Sequence, residues 1–396
     1  MVDMHVPDFL ASLPGGPAYT PPPRKEILVD DIGNVRQAGS TSLNTQFIKT
    51  FKKMAERNLY FFSRNILGLT RLTPHLHRDF CDFIQKSPPY RKLGLMPRDT
   101  FKSTIVAKSL PIHIFIQPRD SNIYFPGVEG RHVKGLLVCE IEARASKHLQ
   151  WIQAQFEKNR LLRALWPEAC WGNPRKDSKK WNAQEFVLPR DIRHEQSDMS
   201  LQAIGVGGAI TGAHIDFLIK DDLISIDAMN SPVIMQTAID YHYLTRPLLE
   251  DIDKSLEFIV GTRWATSDLY AHIIRNDPSV AVYQRSLVEH GKNIFPEEFS
   301  QSAIENLKQT LGPLFALLYQ NDPTDASLTD FQADMLRYYK EYPGFLEFDE
   351  DDRDAAVKDM MSVSRAVDKP PETDWKPVDW SSFTDKRNDY LRVKYT

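Results

Sequence analysis

Only three cysteines, Cys81, Cys139 and Cys170, occur in 396 residues. They are odd in number, far apart and without CxxC spacing, which argues against a disulfide framework or a zinc site and points to a reducing compartment. No apolar run approaches the roughly 18 residues of a membrane span. The Met1 to Ala11 segment has Asp3 and Asp8 but no Lys or Arg ahead of an apolar run, so it is not read as a secretory signal. Net positive charge is also missing. Lys and Arg number 49 against 53 Asp and Glu, a balance of −4, so there is no global basic footprint and any nucleic-acid contact must be local. His75, His77 and His290 lack metal-ligand spacing and read as ordinary histidines. What is present is globular material, 42% apolar and 26% charged, long enough for two structural units or one large α/β unit with appendages. The expectation is a soluble, cytoplasmic protein.

Residues 1–45 contain Leu13-Pro14-Gly15-Gly16-Pro17, Pro21-Pro22-Pro23 and Gly39-Ser40-Thr41-Ser42, a composition read as an extended arm. From Thr45 to Leu67 apolar residues recur at helical spacing. A second helix is expected from Thr73, as cap, and Pro74 to Gln85. The middle of the chain alternates short apolar runs with helical stretches. The runs are Leu93 to Met96, Gly135 to Cys139, Glu185 to Leu188, Leu201 to Val206, Phe217 to Ile219 and Phe258 to Val260. Helices are expected from Lys102, over Ala143 to Asn159, and from Ser231-Pro232. This alternation predicts a parallel sheet covered by helices. After Trp264 the chain reads as helices, including Ser300 to Leu311, and from Thr324 as an acidic, proline-containing stretch.

Three sites carry chemistry. In Leu93 through Thr104 a strand runs through a tight loop into Lys102-Ser103-Thr104 at a helix start. That is the layout of a phosphate-binding loop, with Lys102 neutralising phosphates and Ser103 reaching magnesium. Both glycines of the GxxxxGK[ST] pattern are missing, with Met96 and Phe101 in their places. In His214 through Asp222 an apolar strand ends in Asp221-Asp222, as in enzymes where the first acid holds magnesium and the second orients or deprotonates water. Lys220 interrupts that pattern, and two acids after a strand are also common in plain turns. In Phe258 through Trp264, Thr262 is placed to touch the γ-phosphate region, or merely to form a turn with Trp264 as core. The gap between Lys102 and Asp221 is 221 − 102 = 119 residues, which suits ATPases whose acidic strand is adjacent to the loop strand. All three sites are expected at the carboxyl edge of the sheet.

In this order the motifs resemble the ATPase part of tailed-phage terminase large subunits, the DNA-packaging motor. The resemblance runs from about Leu59 to Gln320. It is carried by Tyr60-Phe61-Phe62-Ser63-Arg64-Asn65-Ile66-Leu67-Gly68, Met96-Pro97-Arg98 through Thr104, Gly205-Val206-Gly207-Gly208 with Gly212 leading into Asp216 to Asp222, Gly261-Thr262-Arg263-Trp264, and Tyr319-Gln320-Asn321-Asp322-Pro323. Where many members carry a basic residue before the acidic strand, Ala213 and His214 stand here, so that arginine finger is unassigned.

The resemblance implies an α/β P-loop NTPase of the RecA-like, ASCE type, with a mostly parallel sheet flanked by helices and a small helical lid. Its domains would be the arm 1–45, an ATPase core 46–265, a lid and linker 266–323 and an acidic linker region 324–396. ATP and Mg2+ are the implied cofactors. Pro97, Arg98, Asp99, Thr100, Phe101, Lys102, Ser103 and Thr104 would wrap the phosphates, and Ser103 with Asp221 would hold magnesium. Asp222 would prepare the water, Arg98 would act in cis on the γ-phosphate, and Thr262 would couple hydrolysis to the lid. Phe61 or Phe62 would stack on adenine, although aromatics at this helical spacing also read as core. Implied partners are double-stranded DNA, a portal protein, a small terminase subunit and further copies in a ring on the procapsid, in the host cytoplasm and with no membrane. DNA would be gripped by its backbone, with Arg175-Lys176-Asp177-Ser178-Lys179-Lys180 and Lys158-Asn159-Arg160 as candidate patches or simply solvated loops. Only 396 − 320 = 76 residues follow Gln320, too few for the family's nuclease, and Asp349 to Asp352 are consecutive. An ATPase-only chain is expected, with a helicase-like nucleic-acid-dependent ATPase and a non-hydrolysing assembly protein with a degenerate loop as the alternative readings.

Overall fold

The computed structural model describes residues 46–323 apart from Ser87, 192–198, 209–213 and Ile252, together with the backbone of residues 28–29, 35–36, 41–45, 338–339 and 376–377. The chain divides after Pro323 into two compact units. In the second, Tyr338–Tyr339 pairs antiparallel with Lys376–Pro377. The acidic run Asp349 to Asp352 and the final segment Asp389 to Tyr395 lie outside the described residues.

The first unit is built on a seven-stranded sheet: β1 (Arg91–Leu95), β2 (Gly135–Cys139), β3 (Glu185–Phe186), β4 (Leu201–Gly205), β5 (Phe217–Asp221), β6 (Leu256–Gly261) and β7 (Val280–Gln284). Their order is β3-β4-β2-β5-β6-β1-β7. Every pairing is parallel except that of β3 with β4. β2, β5 and β6 are buried along their whole length, as expected of strands covered on both faces. This is the expected α/β architecture, a mostly parallel sheet flanked by helices, with one correction. The acidic strand β5 is not adjacent to the loop strand β1, because β6 lies between them.

Helices cover the sheet. α1 (Thr41–Arg57) and α2 (Leu59–Asn65) are separated at Asn58, whose side chain accepts the Phe61 N–H at 2.7 Å and starts the second helix. The helix therefore begins inside the segment expected to be extended, and its side chains are described from Gln46 onward. Pro74 opens a π-helical turn, Pro74–Arg78, leading into α3 (Asp79–Gln85). Thr73 does not cap it by its side chain. Its backbone N–H instead donates to His77 Nδ1 at 2.8 Å. After the loop, a π-helical stretch Thr104–Ser109 continues into α4 (Leu110–Phe115). α5 (Glu142–Lys158) packs on β2 and β4 through Ala145, His148, Leu149, Ile152 and Phe156, spaced to line one face. α6 (Pro232–Leu244) is capped by the Ser231 hydroxyl.

The segment after Trp264 is not purely helical. α7 (Leu269–Asn276) is followed by β7, then by the hairpin Val288–Glu289 with Lys292–Asn293, then by α8 (Gln301–Leu311) and α9 (Leu314–Gln320). β7 pairs with the loop strand β1 from Arg91↔Val280 to Leu95↔Gln284, so the sheet extends beyond residue 265. As an edge strand it alternates between core and solvent, with Val282 41% exposed, and so lacks the continuous apolar run that marks the inner strands.

Lys220, an interruption in the apolar β5 pattern, is buried on the face opposite its neighbour Asp221. Its ammonium donates to Glu257 Oε1 at 2.6 Å and to the His242 carbonyl at 2.8 Å. Arg91 and Arg246 approach the same Glu257 at 3.7 and 3.4 Å. The lysine is thus part of a paired ionic cluster that ties β5, β6 and α6 together.

Candidate nucleotide site

Parallel strands bring their carboxyl ends to one edge, and the three predicted segments meet there. Leu95, the last residue of β1, pairs with Gly261, so Thr262 follows directly beside the start of the loop. Asp221 pairs with Val260 and with Cys139. Asp222 N–H donates to Val260 O at 2.9 Å, and Asp222 turns away from the strand with φ 47.

The loop from Met96 to Phe101 has two residues in the left-handed region, Asp99 at φ 63 and Phe101 at φ 60. Such angles are strained for a residue with a Cβ and are where a phosphate loop ordinarily uses glycine. Packing supplies what glycine would otherwise permit. The Phe101 ring lies 5.7 Å from His77 and 6.1 Å from Phe295 between centroids, and the Arg71 guanidinium sits 4.9 Å over it. Backbone ties complete the brace. Thr100 Oγ1 donates to Pro97 O at 2.7 Å, His77 Nε2 to Thr100 O at 3.2 Å, and Arg98 N to Leu318 O of α9 at 2.9 Å. Because His77 Nδ1 accepts from Thr73 N, the ring proton is on Nε2. Burial holds this imidazole down at about 4, so it is neutral at pH 7.

At the loop's end Lys102 is 6% exposed, with Nζ 3.8 Å from Asp222 Oδ1. Ser103 Oγ donates to Asp221 Oδ1 at 2.6 Å, bridging segments far apart in sequence. Thr104 is half-buried, while Arg98 and Asp99 are exposed. Thr262 is 4% exposed. The next residue, Arg263, is fixed by Asp268, whose carboxylate accepts from Arg263 Nε at 3.0 and 3.1 Å and from Trp264 N and Ala271 N at 2.8 Å. Gly261 is required because a Cβ there would meet the buried Tyr270 hydroxyl at 2.1 Å.

Two residues that the sequence did not single out belong to this cluster. His148 on α5 places Nε2 2.9 Å from Asp221 Oδ2, and Arg144, one turn earlier, places a guanidinium nitrogen 3.8 Å from Asp222 Oδ2. At helical spacing His148 reads simply as part of the buried face of α5, so no sequence signal marks it. Burial pushes the Asp221 carboxyl up, but the His148 and Ser103 hydrogen bonds and the Lys102 charge outweigh it and hold Asp221 below its ordinary range. Asp222 moves the other way. Burial and the neighbouring Asp221 charge raise it against Lys102, Arg144 and Arg98. Two adjacent carboxylates are thereby driven apart, one held ionised and one made more basic. The Cys139 thiol beside Asp221 is buried and pushed up, which keeps it protonated and inert.

Elsewhere, the Phe61 ring packs edge-on against Phe51 at 5.3 Å. Arg175, Lys176, Lys179, Lys158 and Arg160 are exposed, and Lys180 pairs with Glu185 at 3.1 Å. No helix among the described residues is long and apolar enough to cross a membrane.

No family model matches the chain, and no curated protein does. Among solved structures, the chain is similar to the large terminase ATPase domain of Thermus phage P74-26, at 13% identity and a TM-score of 0.39, over 65% of this chain and 96% of that one. It is also similar to the HK97 bacteriophage large terminase, at 14% identity and a TM-score of 0.41, over 68% of this chain. It spans 55% of that second protein.

Proposed function

We propose that the chain is the ATP-hydrolysing motor subunit of a viral terminase, moving double-stranded DNA into a procapsid. The observation that carries the chemistry is the meeting of Lys102, Ser103, Asp221 and Asp222 at the carboxyl edge of a parallel sheet, with Ser103 Oγ 2.6 Å from Asp221 Oδ1 and Lys102 Nζ 3.8 Å from Asp222 Oδ1. The left-handed angle at Phe101 further supports a working loop, since the backbone keeps a glycine-like course without glycine.

The donor set suits magnesium. A hydroxyl and a carboxylate are hard oxygen ligands, and Asp222 Oδ1 beside them is buried without a hydrogen-bond partner. Ser103 and Asp221 would hold the ion, which when bound neutralises charge on the phosphates. The loop backbone from Pro97 to Thr104 cradles the phosphates. Lys102, nearly buried, binds the β and γ groups with its charge undiminished by solvent. Asp222, made more basic by its surroundings, orients the attacking water and draws off its proton. Arg98, exposed on the loop, acts in cis on the γ-phosphate, and Phe61 stacks on adenine. Thr262, beside the loop and joined through Arg263 and Asp268 to α7, relays the state of the γ-phosphate to the segment after Trp264. DNA is held through backbone phosphates by the exposed basic residues near Arg175 and Lys158. A portal protein, a small terminase subunit and a ring of copies in the host cytoplasm complete the proposed assembly.

Phosphate release by the wild type, Lys102→Ala and Asp222→Asn tests the reading. Loss of at least about a hundredfold in both variants is expected. Equal rates in all three would sink it. Stimulation by duplex DNA without strand unwinding separates a packaging motor from a helicase.

A further inference from the structure

We infer that His148 is a positioning residue for the magnesium ligand Asp221, fixing the carboxylate orientation in which a divalent cation binds. The inference rests on the proposed nucleotide site and deepens it. Asp221 is 1% exposed and is restrained at each oxygen by one side chain, Oδ1 by Ser103 Oγ at 2.6 Å and Oδ2 by His148 Nε2 at 2.9 Å. The Ser103 hydroxyl is itself assigned to the cation. Once it turns to that task, the His148 bond is the restraint that still holds the plane of the carboxylate. His148 comes from α5, which is seated on β2 and β4 as well as on the helical stretch Thr104–Ser109, so the ring is placed by elements outside the loop residues 97–103. Its Nδ1 is buried without a partner, which leaves the proton on Nε2, facing Asp221. An imidazole N–H donating to a ligating carboxylate is an outer partner of the kind that tunes metal affinity by about tenfold or more.

Mn2+ binding in the presence of the non-hydrolysable analogue AMP-PNP, followed by electron paramagnetic resonance, reads the metal without turnover. His148→Ala is expected to weaken Mn2+ binding about tenfold or more, while metal-free affinity for the analogue stays within twofold. His148→Gln, which can place an amide N–H near the lost Nε2, is expected to recover most of the loss. Should the alanine variant not fold, His148→Phe fills the space without a donor and takes its place. Unchanged Mn2+ affinity, or a glutamine variant no better than alanine, would overturn the positioning role. Failure of the wild type to bind Mn2+ with the analogue would overturn the nucleotide site itself.

Discussion

Phe101 shows how one side chain can hold a backbone conformation that its own Cβ opposes. The left-handed angle costs a non-glycine residue about 1–2 kcal/mol, and the contacts with His77, Phe295 and Arg71 offset it. Comparing two truncations separates these terms. Phe101→Ala loses the ring and keeps the strain, whereas Phe101→Gly loses both. Both should be destabilised in denaturant unfolding, with alanine the worse by about 1 kcal/mol. Equal losses would show that the angle carries no strain. His77 adds a pH dependence. Its pKa is near 4 when folded against 6.5 when unfolded, so the unfolded chain takes up the proton first. Stability is complete above about pH 6.5 and falls as pH drops towards 4, by roughly 3 kcal/mol at most from this group. His113, also held near 4 by burial, acts in the same direction. Thermal unfolding midpoints from pH 7 to pH 4.5 should therefore fall less steeply in His77→Gln than in the wild type.

At the level of elements, Asp268 joins helix initiation to the fixing of the strand-end turn. It is fully buried, caps α7 through Ala271 N and pairs with the buried Arg263. Asp268→Ala should cost about 3–5 kcal/mol, because it uncaps the helix and leaves a buried guanidinium unpaired. Asp268→Asn keeps the cap and should cost less. Chemical denaturation of the two variants checks the order. Elements of this kind also mark where sequence reading succeeds and stops. The inner strands are legible because burial on both faces demands continuous apolar runs, as in Gly135 to Cys139, and Ser231 announces its helix because a cap needs a specific side chain. β7 escapes such a reading because an edge strand needs only one apolar face. The expected Thr73 cap fails because its hydroxyl lies 3.2 Å from His77 Nδ1 and accepts no first-turn backbone N–H. At the site, Lys102, Ser103 and Asp221 can be read from their positions at strand and helix ends, whereas His148 and Arg144 act across the fold and leave no local pattern.

For the molecule as a whole, the balance of −4 means that duplex DNA would have to be held by local patches against a weakly repulsive background. Binding should be indifferent to sequence and weaken steeply with salt. Replacing Arg175 and Lys179 by alanine should flatten the salt dependence by about one unit of slope for each DNA phosphate no longer neutralised, and filter binding across a salt series measures this. An unchanged slope would move the DNA surface elsewhere. The loop strand lies between β6 and β7, and the loop itself is shaped from outside by Arg71, His77, Phe295 and Leu318. A glycine loop carries its shape in its own sequence and can be transplanted with it. Here the shape is stored in residues outside the loop, spread along the chain from Arg71 to Leu318, so the eight residues from Pro97 to Thr104, grafted onto another sheet, would not bring their conformation with them.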